Sequence, residues 1–277
     1  MSFARLLGPA LFLSLLAAGV VPASAARDPA DLAGYRALYS LTLDRPDVAG
    51  SAVGVAGRLA IDFADACTGY ALSQRLMMAV TDSDGTTRDN DFVISTWESH
   101  DGLTLRFNLN NDIDGQPVER YAGLARLKSH KQGGKVTFTE PAGDTMALPP
   151  GTVFPTEQIR RLIIAAEKGE TFRADTVFDG SGADGLTDSS GAIGRKTPAH
   201  AAPAGTPLAA LDGEPSWPMR IAYFALHDTD AVPQYEIGLR LFANGVAGDL
   251  LLDYGDFAVR ATLVHLALSP TPNCRGK

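Results

Sequence analysis

The stretch LPPGTVFPTEQIRRLIIAAEKGE, residues 148–170, contains the one convincing helix of a chain that otherwise has the pattern of β-strands. Proline lacks an amide N–H and restricts the residue before it, so the prolines of this stretch exclude a helix before Thr156. The apolar residues that then recur at helical spacing are Ile159, Leu162, Ile163 and Ala166. We therefore predict a helix over about 156–168, with Thr156 as its N-cap and Lys168 and Gly169 at its end.

The segments on both sides of this helix alternate apolar and polar residues, which is typical of half-buried strands. The clearest segment is 103–109, LTLRFNL, where every second side chain is apolar. Turn signals such as 112–115 and Asn244-Gly245 separate the strands, of which the chain has about a dozen. The predicted fold class is all-β: a single domain with a mainly antiparallel β spiral or barrel-like sheet and one α-helix.

The first residues have the pattern of a secretory signal peptide, over 1–25. Arg5 supplies the charge, residues 6–21 the apolar run, and residues 23–25, ASA, the cleavage site. A transmembrane anchor is the alternative, but the run is short and ends in small residues. We therefore expect an exported domain over 26–277, without a transmembrane segment once the signal is removed.

Two cysteines, Cys67 and Cys274, remain in the exported part. In an oxidising compartment such a pair usually forms a disulfide, and two free buried thiols are the alternative. A bridge would close most of the chain into one loop, which favours one domain over two. Within that domain the composition shifts at about 180–215, where Gly, Ala, Ser and Pro are dense. We predict a flexible surface loop there.

Charge and motif spacing exclude several classes of function. The net charge of −8 argues against nucleic acid or an anionic membrane surface as a partner. The five histidines show no metal-binding spacing, so no metal site is expected. The segment 110–115 resembles the start of a calcium loop, but Tyr121 stands where that loop needs a glutamate. The carboxylates of Asp253 and Asp256 flank a turn, where aspartate is common for structural reasons. No catalytic or cofactor-binding residue is predicted.

Several segments resemble one family, the EipB family of periplasmic cell-envelope-integrity proteins of Gram-negative bacteria. The matching pieces are DGLTLRF at 101–107, LPPGTVFP at 148–155, VFDG at 177–180, WPMRIAYF at 217–224 and LDYGDF at 252–257. The resemblance implies a monomeric, spiral-like β domain in the periplasm that supports envelope integrity under stress. It also implies one disulfide, between Cys67 and Cys274, and no known catalytic residues. The Ala- and Pro-rich segment 199–213 departs from the family.

The leading hypothesis is therefore a non-enzymatic periplasmic protein that binds a protein or another envelope component, without a cofactor. Two alternatives stay open. A β-barrel-like carrier would hold a lipid or another apolar ligand, and a hydrolase would act on cell-wall material. The aromatic residues of the strands would either fill the interior or line a cavity. Whether the helix plugs that interior or lies outside it decides how much room a ligand has.

Overall fold

The computed structural model describes residues 31–46, 52–199, 205–227 and 232–274. The predicted signal peptide, 1–25, lies outside these ranges. The described part contains one α-helix, α1 (Pro155–Glu167), and a short 3-10 helix (Pro207–Leu211). Its strands are β1 (Tyr35–Arg45), β2 (Gly54–Asp65), β3 (Gly69–Thr81), β4 (Thr87–Ser99), β5 (Thr104–Ile113), β6 (Gln116–Ser129), β7 (Gly133–Glu140), β8 (Thr145–Leu148), β9 (Thr152–Val153), β10 (Phe172–Phe178), β11 (Leu186–Ile193), β12 (Ser216–Ala225), β13 (Tyr235–Phe242), β14 (Ala247–Asp253) and β15 (Ala258–Leu268).

All 15 strands belong to one sheet, in the order β8-β7-β6-β5-β4-β3-β2-β1-β15-β14-β13-β12-β11-β10-β9. Every neighbouring pair is antiparallel except β9 and β10. The two edge strands, β8 and β9, are consecutive in the chain and only residues 149–151 separate them. The sheet therefore curls almost into a closed barrel. The prediction of an all-β, mainly antiparallel, barrel-like sheet is confirmed.

The interior of the sheet is apolar because alternate residues of each strand point inward. On β1 the inward residues are Tyr35, Ala37, Tyr39 and Leu41, all buried. The larger core cluster joins β1 and β2 to β12–β15 and α1, and it contains Trp217. A smaller cluster joins β5–β8 to β10 around Phe154 and Phe178. We call the end of the sheet that holds Phe63 and Tyr70 the helix end, because α1 lies there.

The helix lies inside the curled sheet. It begins at Pro155 and ends at Glu167, close to the predicted 156–168, and Gly169 follows with φ +78°. Of the predicted apolar stripe, Leu162, Ile163 and Ala166 are buried in the larger core cluster, and Ile159 packs against it. The helix therefore fills part of the interior at the helix end. No helix in the described ranges is long and apolar enough to cross a membrane.

Two predictions about local structure were wrong. Thr156 is not the N-cap: that residue is Phe154, and no side chain of the helix's own start caps it. The predicted loop at 180–215 is wrong for residues 186–193, which form strand β11; residues 207–211 form the short 3-10 helix, and the flexibility of the remaining residues stays a prediction. One of the small residues that suggested a loop, Gly191, is needed for packing, because a Cβ there would lie 2.7 Å from Leu162 Cδ2. Residues 200–204 lie outside the described ranges.

Candidate functional site

Glu98 organises the start of the helix. It lies near the end of β4, opposite Tyr70 of β3 and Leu105 of β5, and its inward-pointing carboxylate is only 2% exposed. Glu98 Oε2 accepts a hydrogen bond from the Thr156 N–H, and Oε1 accepts one from the Glu157 N–H, both at 2.8 Å. The first N–H groups of a helix have no partner within it and carry partial positive charge, so this carboxylate satisfies both needs.

The same burial raises the pKa of Glu98 to about 7, because the charged carboxylate is removed from water. The two backbone hydrogen bonds oppose this shift, and the nearby charge of Glu157 adds to it. The group thus changes its protonation near neutral pH while holding the helix.

A series of ion pairs fixes the less buried side of α1. Glu157 accepts hydrogen bonds from Arg160 and Arg161, each at 2.8 Å, one turn farther along the helix. Arg161 also contacts Asp175 of β10 at 3.0 Å, and Arg173 contacts the same carboxylate at 2.9 Å. Because the Asp175 side chain is only 4% exposed, these pairs are partly shielded from water and attach the helix to β10.

Buried polar groups attach the other side of α1. The Tyr223 hydroxyl donates to Gln158 Oε1 at 3.2 Å, and Gln158 Nε2 donates to Ser189 Oγ at 3.0 Å. The Ser189 hydroxyl in turn donates to the Asp175 carbonyl at 2.9 Å. Burial raises the pKa of Tyr223 to about 12, so its hydroxyl stays protonated and can donate. Strands β11 and β12 thereby hold Gln158 directly, and β10 accepts a hydrogen bond from the Ser189 hydroxyl that does so.

The disulfide lies beside the same helix end. The sulfur atoms of Cys67, in the β2–β3 turn, and Cys274 are bonded. Asp65 Oδ1 accepts from the Cys67 N–H at 2.8 Å and lies 3.0 Å from His100 Nε2. Arg160 of the helix donates to the His100 carbonyl at 3.4 Å. The crosslinked turn is therefore linked through the β4–β5 turn to α1.

A cavity of about 140 Å³ lies between the start of the helix and β1–β3. Its walls are mostly apolar, with the side chain of Gln74 as a polar group, and they include Tyr35, Ile61, Phe63, Leu72, Pro155 and Ile159. Two aromatic strand residues, Tyr35 and Phe63, thus line a cavity, whereas Tyr39 is completely buried.

Other residues considered in the sequence have structural surroundings. Asp253 forms ion pairs with Arg45 at 2.6 Å and Arg220 at 3.0 Å, so it links β14 to β1 and β12, each of which lies two strands away in the sheet. Asp112 pairs with Arg120 across the β5–β6 hairpin. Among the described residues, no three side chains of metal-binding type come together.

No sequence pattern predicted the roles of Glu98, Gln158 and Ser189. One signal was available for Glu98: it shares its face of β4 with the apolar side chains of Phe92 and Ile94, and a charged residue at an inward position needs a partner. Nothing local identified that partner as a helix N-terminus.

Comparisons with known proteins agree with the resemblance noted in the sequence. The model of the EipB-like family matches residues 26–270. The cell envelope integrity protein EipB of Brucella abortus is 34% identical over 259 residues, which cover 92% of this chain and 90% of that protein. A crystal structure of a β-barrel-like protein from Brucella abortus, described as a domain of unknown function, superposes with a TM-score of 0.77 at 31% identity, covering 87% of this chain and 99% of that one. The match of sequence and fold over almost the whole domain means that this chain belongs to the EipB-like family.

Proposed function

We propose that this protein supports the integrity of the cell envelope from the periplasm, by binding a protein or another envelope component. The observation that carries the proposal is the similarity to the EipB protein of Brucella abortus, named as a cell envelope integrity protein, over 92% of the chain. The signal-like pattern of residues 1–25 supports export, and the disulfide between Cys67 and Cys274 suits an oxidising compartment.

The proposed role is non-enzymatic and monomeric. Glu98 has the pKa of a general acid, but it is 2% exposed and both of its oxygens accept hydrogen bonds from the helix. A catalytic acid must reach the proton-accepting atom of its substrate, and this carboxylate is closed off. The carboxylate of Asp175 is likewise held by two arginines. These groups support the fold, which disfavours the hydrolase hypothesis.

Deletion of the gene in its native host, followed by growth in detergent and in a cell-wall antibiotic, tests the envelope role. We expect the deletion to sensitise the cells, the full chain to restore growth, and a chain that starts at residue 26 to fail because it is not exported. Chemical crosslinking in the periplasm, followed by purification of the protein, should recover one reproducible partner. Unchanged growth of the deletion strain would reject the proposal.

A second candidate, carriage of a lipid or another apolar ligand, is favoured by one observation. Inward-facing apolar side chains of β2, β3, β13 and β14 remain partly exposed, whereas a filled barrel would bury them. The helix restricts this function, since it occupies the interior at the helix end. Mass spectrometry of the organic extract of the purified protein tests it, and an extract without lipid would reject it.

A further inference from the structure

Leu72, Gln74, Leu76 and Met78 of β3 point inward, because they are paired through β2 with the buried face of β1. Gln74 is polar, whereas Leu72, Leu76 and Met78 form an apolar but incompletely covered row. They are only partly buried, in contrast to Leu59 beside them on β2. From Leu72 to Met78 the strand rises by about 20 Å, at about 3.3 Å per residue. The row therefore forms one wall of an elongated, mostly apolar space.

Other strands supply more wall. Ile237 and Leu239 of β13 and Leu252 of β14 face the same core cluster and are also partly buried. At the helix end the space meets the cavity of about 140 Å³. Leu72 belongs to both the row and the cavity, and Ile159 of α1 lines the cavity. The interior thus has a mostly apolar recess beside the helix.

The other end of the row is polar. Met78 is paired with Asn90 of β4, which places the two side chains on the same inward face. Asn90 Nδ2 donates to Asn111 Oδ1 at 2.7 Å, and Asn111 Nδ2 donates to Glu119 Oε2 at 2.8 Å. Asn90 Oδ1 and Glu119 Oε1 can accept further hydrogen bonds. A ligand that reaches these side chains can donate hydrogen bonds to them from hydroxyl, amide or ammonium groups.

We propose that this interior binds one acyl chain of an amphiphile, with the chain end in the cavity beside Ile159 and a donor-bearing headgroup at Asn90 and Asn111. The row of about 20 Å is long enough, since an acyl chain spans half of a hydrocarbon core of about 30 Å. The cavity has a suitable size for the chain end, because an apolar cavity of about 150 Å³ in another protein accepts benzene. The inference rests on the second candidate function and not on the envelope role.

Adjacent residues of β3 provide a matched pair of variants. Leu76 points inward, whereas Met77 is 44% exposed on the outer face. Binding is measured by the fluorescence of N-phenylnaphthylamine and its displacement by lauroylglycerol. We expect the native protein to bind both. Leu76→Trp should weaken binding about tenfold or more because the ring fills the space, while Met77→Trp should bind like the native protein.

Two further measurements keep the test decisive. If Leu76→Trp loses its cooperative melting transition, binding is measured instead for Ile237→Phe, on the β13 wall. We expect this variant to weaken binding as Leu76→Trp would. Asn111→Leu should weaken lauroylglycerol more than N-phenylnaphthylamine, which has no glycerol headgroup. No saturable binding by the native protein, or equal binding by the inward and outward variants, would overturn the site. Because binding is measured on purified protein, such a failure leaves the envelope role to be decided separately by the deletion strain.

Discussion

Glu98 caps α1 from a distance of 58 residues in the chain: its carboxylate accepts a hydrogen bond of 2.8 Å from the backbone N–H of Thr156. The second oxygen accepts from the next N–H, that of Glu157. Most helices are capped by a residue at their own start. Here a strand residue performs this role, so the helix N-terminus is capped only when the helix is docked inside the sheet.

Removing this cap should destabilise the protein. At pH 5.5, Glu98→Ala leaves the N–H groups of Thr156 and Glu157 without acceptors, and we expect a loss of about 2–4 kcal/mol in the free energy of unfolding. Glu98 is protonated at this pH, so Glu98→Gln, which also offers one carbonyl acceptor, should lose about 1 kcal/mol or less. Urea unfolding followed by circular dichroism measures both. Thr96→Ala, at another inward position of β4, serves as the control and should change stability by about 0.5 kcal/mol or less. Equal losses for Thr96→Ala and Glu98→Ala would contradict the cap.

The pKa of Glu98 predicts how stability depends on pH. Folding raises this pKa from 4.5 to about 7, so the folded state binds the proton more tightly than the unfolded state. The resulting stabilisation is complete below about pH 4.5 and is lost as the pH rises through 7, by about 3 kcal/mol. Burial also raises the pKa of Asp179, which acts in the same direction. Unfolding free energies at pH 5 and 7.5 should therefore differ more in the native protein than in Glu98→Gln. The same pH dependence in both would exclude Glu98 as its source.

The parts of the fold that could be predicted from sequence are those with a local pattern. The helix follows from proline, the apolar stripe and Gly169, and β5 follows from strict alternation over 103–109. Strand β11 has no such pattern, because its inward residues include Ser189 and Gly191, which are small where the helix packs against them. The small residues of β11 are there because the helix packs against them. Their composition resembles that of a loop, and a loop was therefore predicted.

The candidate site was harder to predict for the same reason. Its groups, Glu98, Gln158 and Ser189, come from a strand, the helix and a later strand, and each pairs with a residue far away in the chain. The pairing of Cys67 with Cys274 could be predicted, since the part of the chain after the signal-like segment has two cysteines and these allow one intramolecular bridge. The position of that bridge beside the helix end could not be predicted.

The disulfide should contribute strongly to stability. It joins residues separated by 207 positions. In the chain-entropy model such a loop restricts the unfolded state by about 5 kcal/mol at most. We expect reductant, or Cys67→Ser, to lower the melting temperature markedly and to reduce the amount of exported protein. The double variant Cys67→Ser, Cys274→Ser is the control, and reductant should not change its melting. Identical melting of the native protein with and without reductant would mean that the bridge does not stabilise the fold.

The position of α1 inside the sheet can be tested with two strand glycines. Gly191 lies on the inward face of β11, and a Cβ there would be 2.7 Å from Leu162 Cδ2 of the helix. Because the helix is held by the Glu98 cap and the Gln158 contacts, it cannot move away freely, and we expect Gly191→Ala to cost about 1–3 kcal/mol. The matched control is Gly238→Ala on β13, where the nearest atom, Leu251 Cβ, is 3.4 Å away, an ordinary contact. Urea unfolding of both variants measures the difference. If Gly191→Ala is as stable as Gly238→Ala, the helix does not pack against β11 as closely as the structure has it.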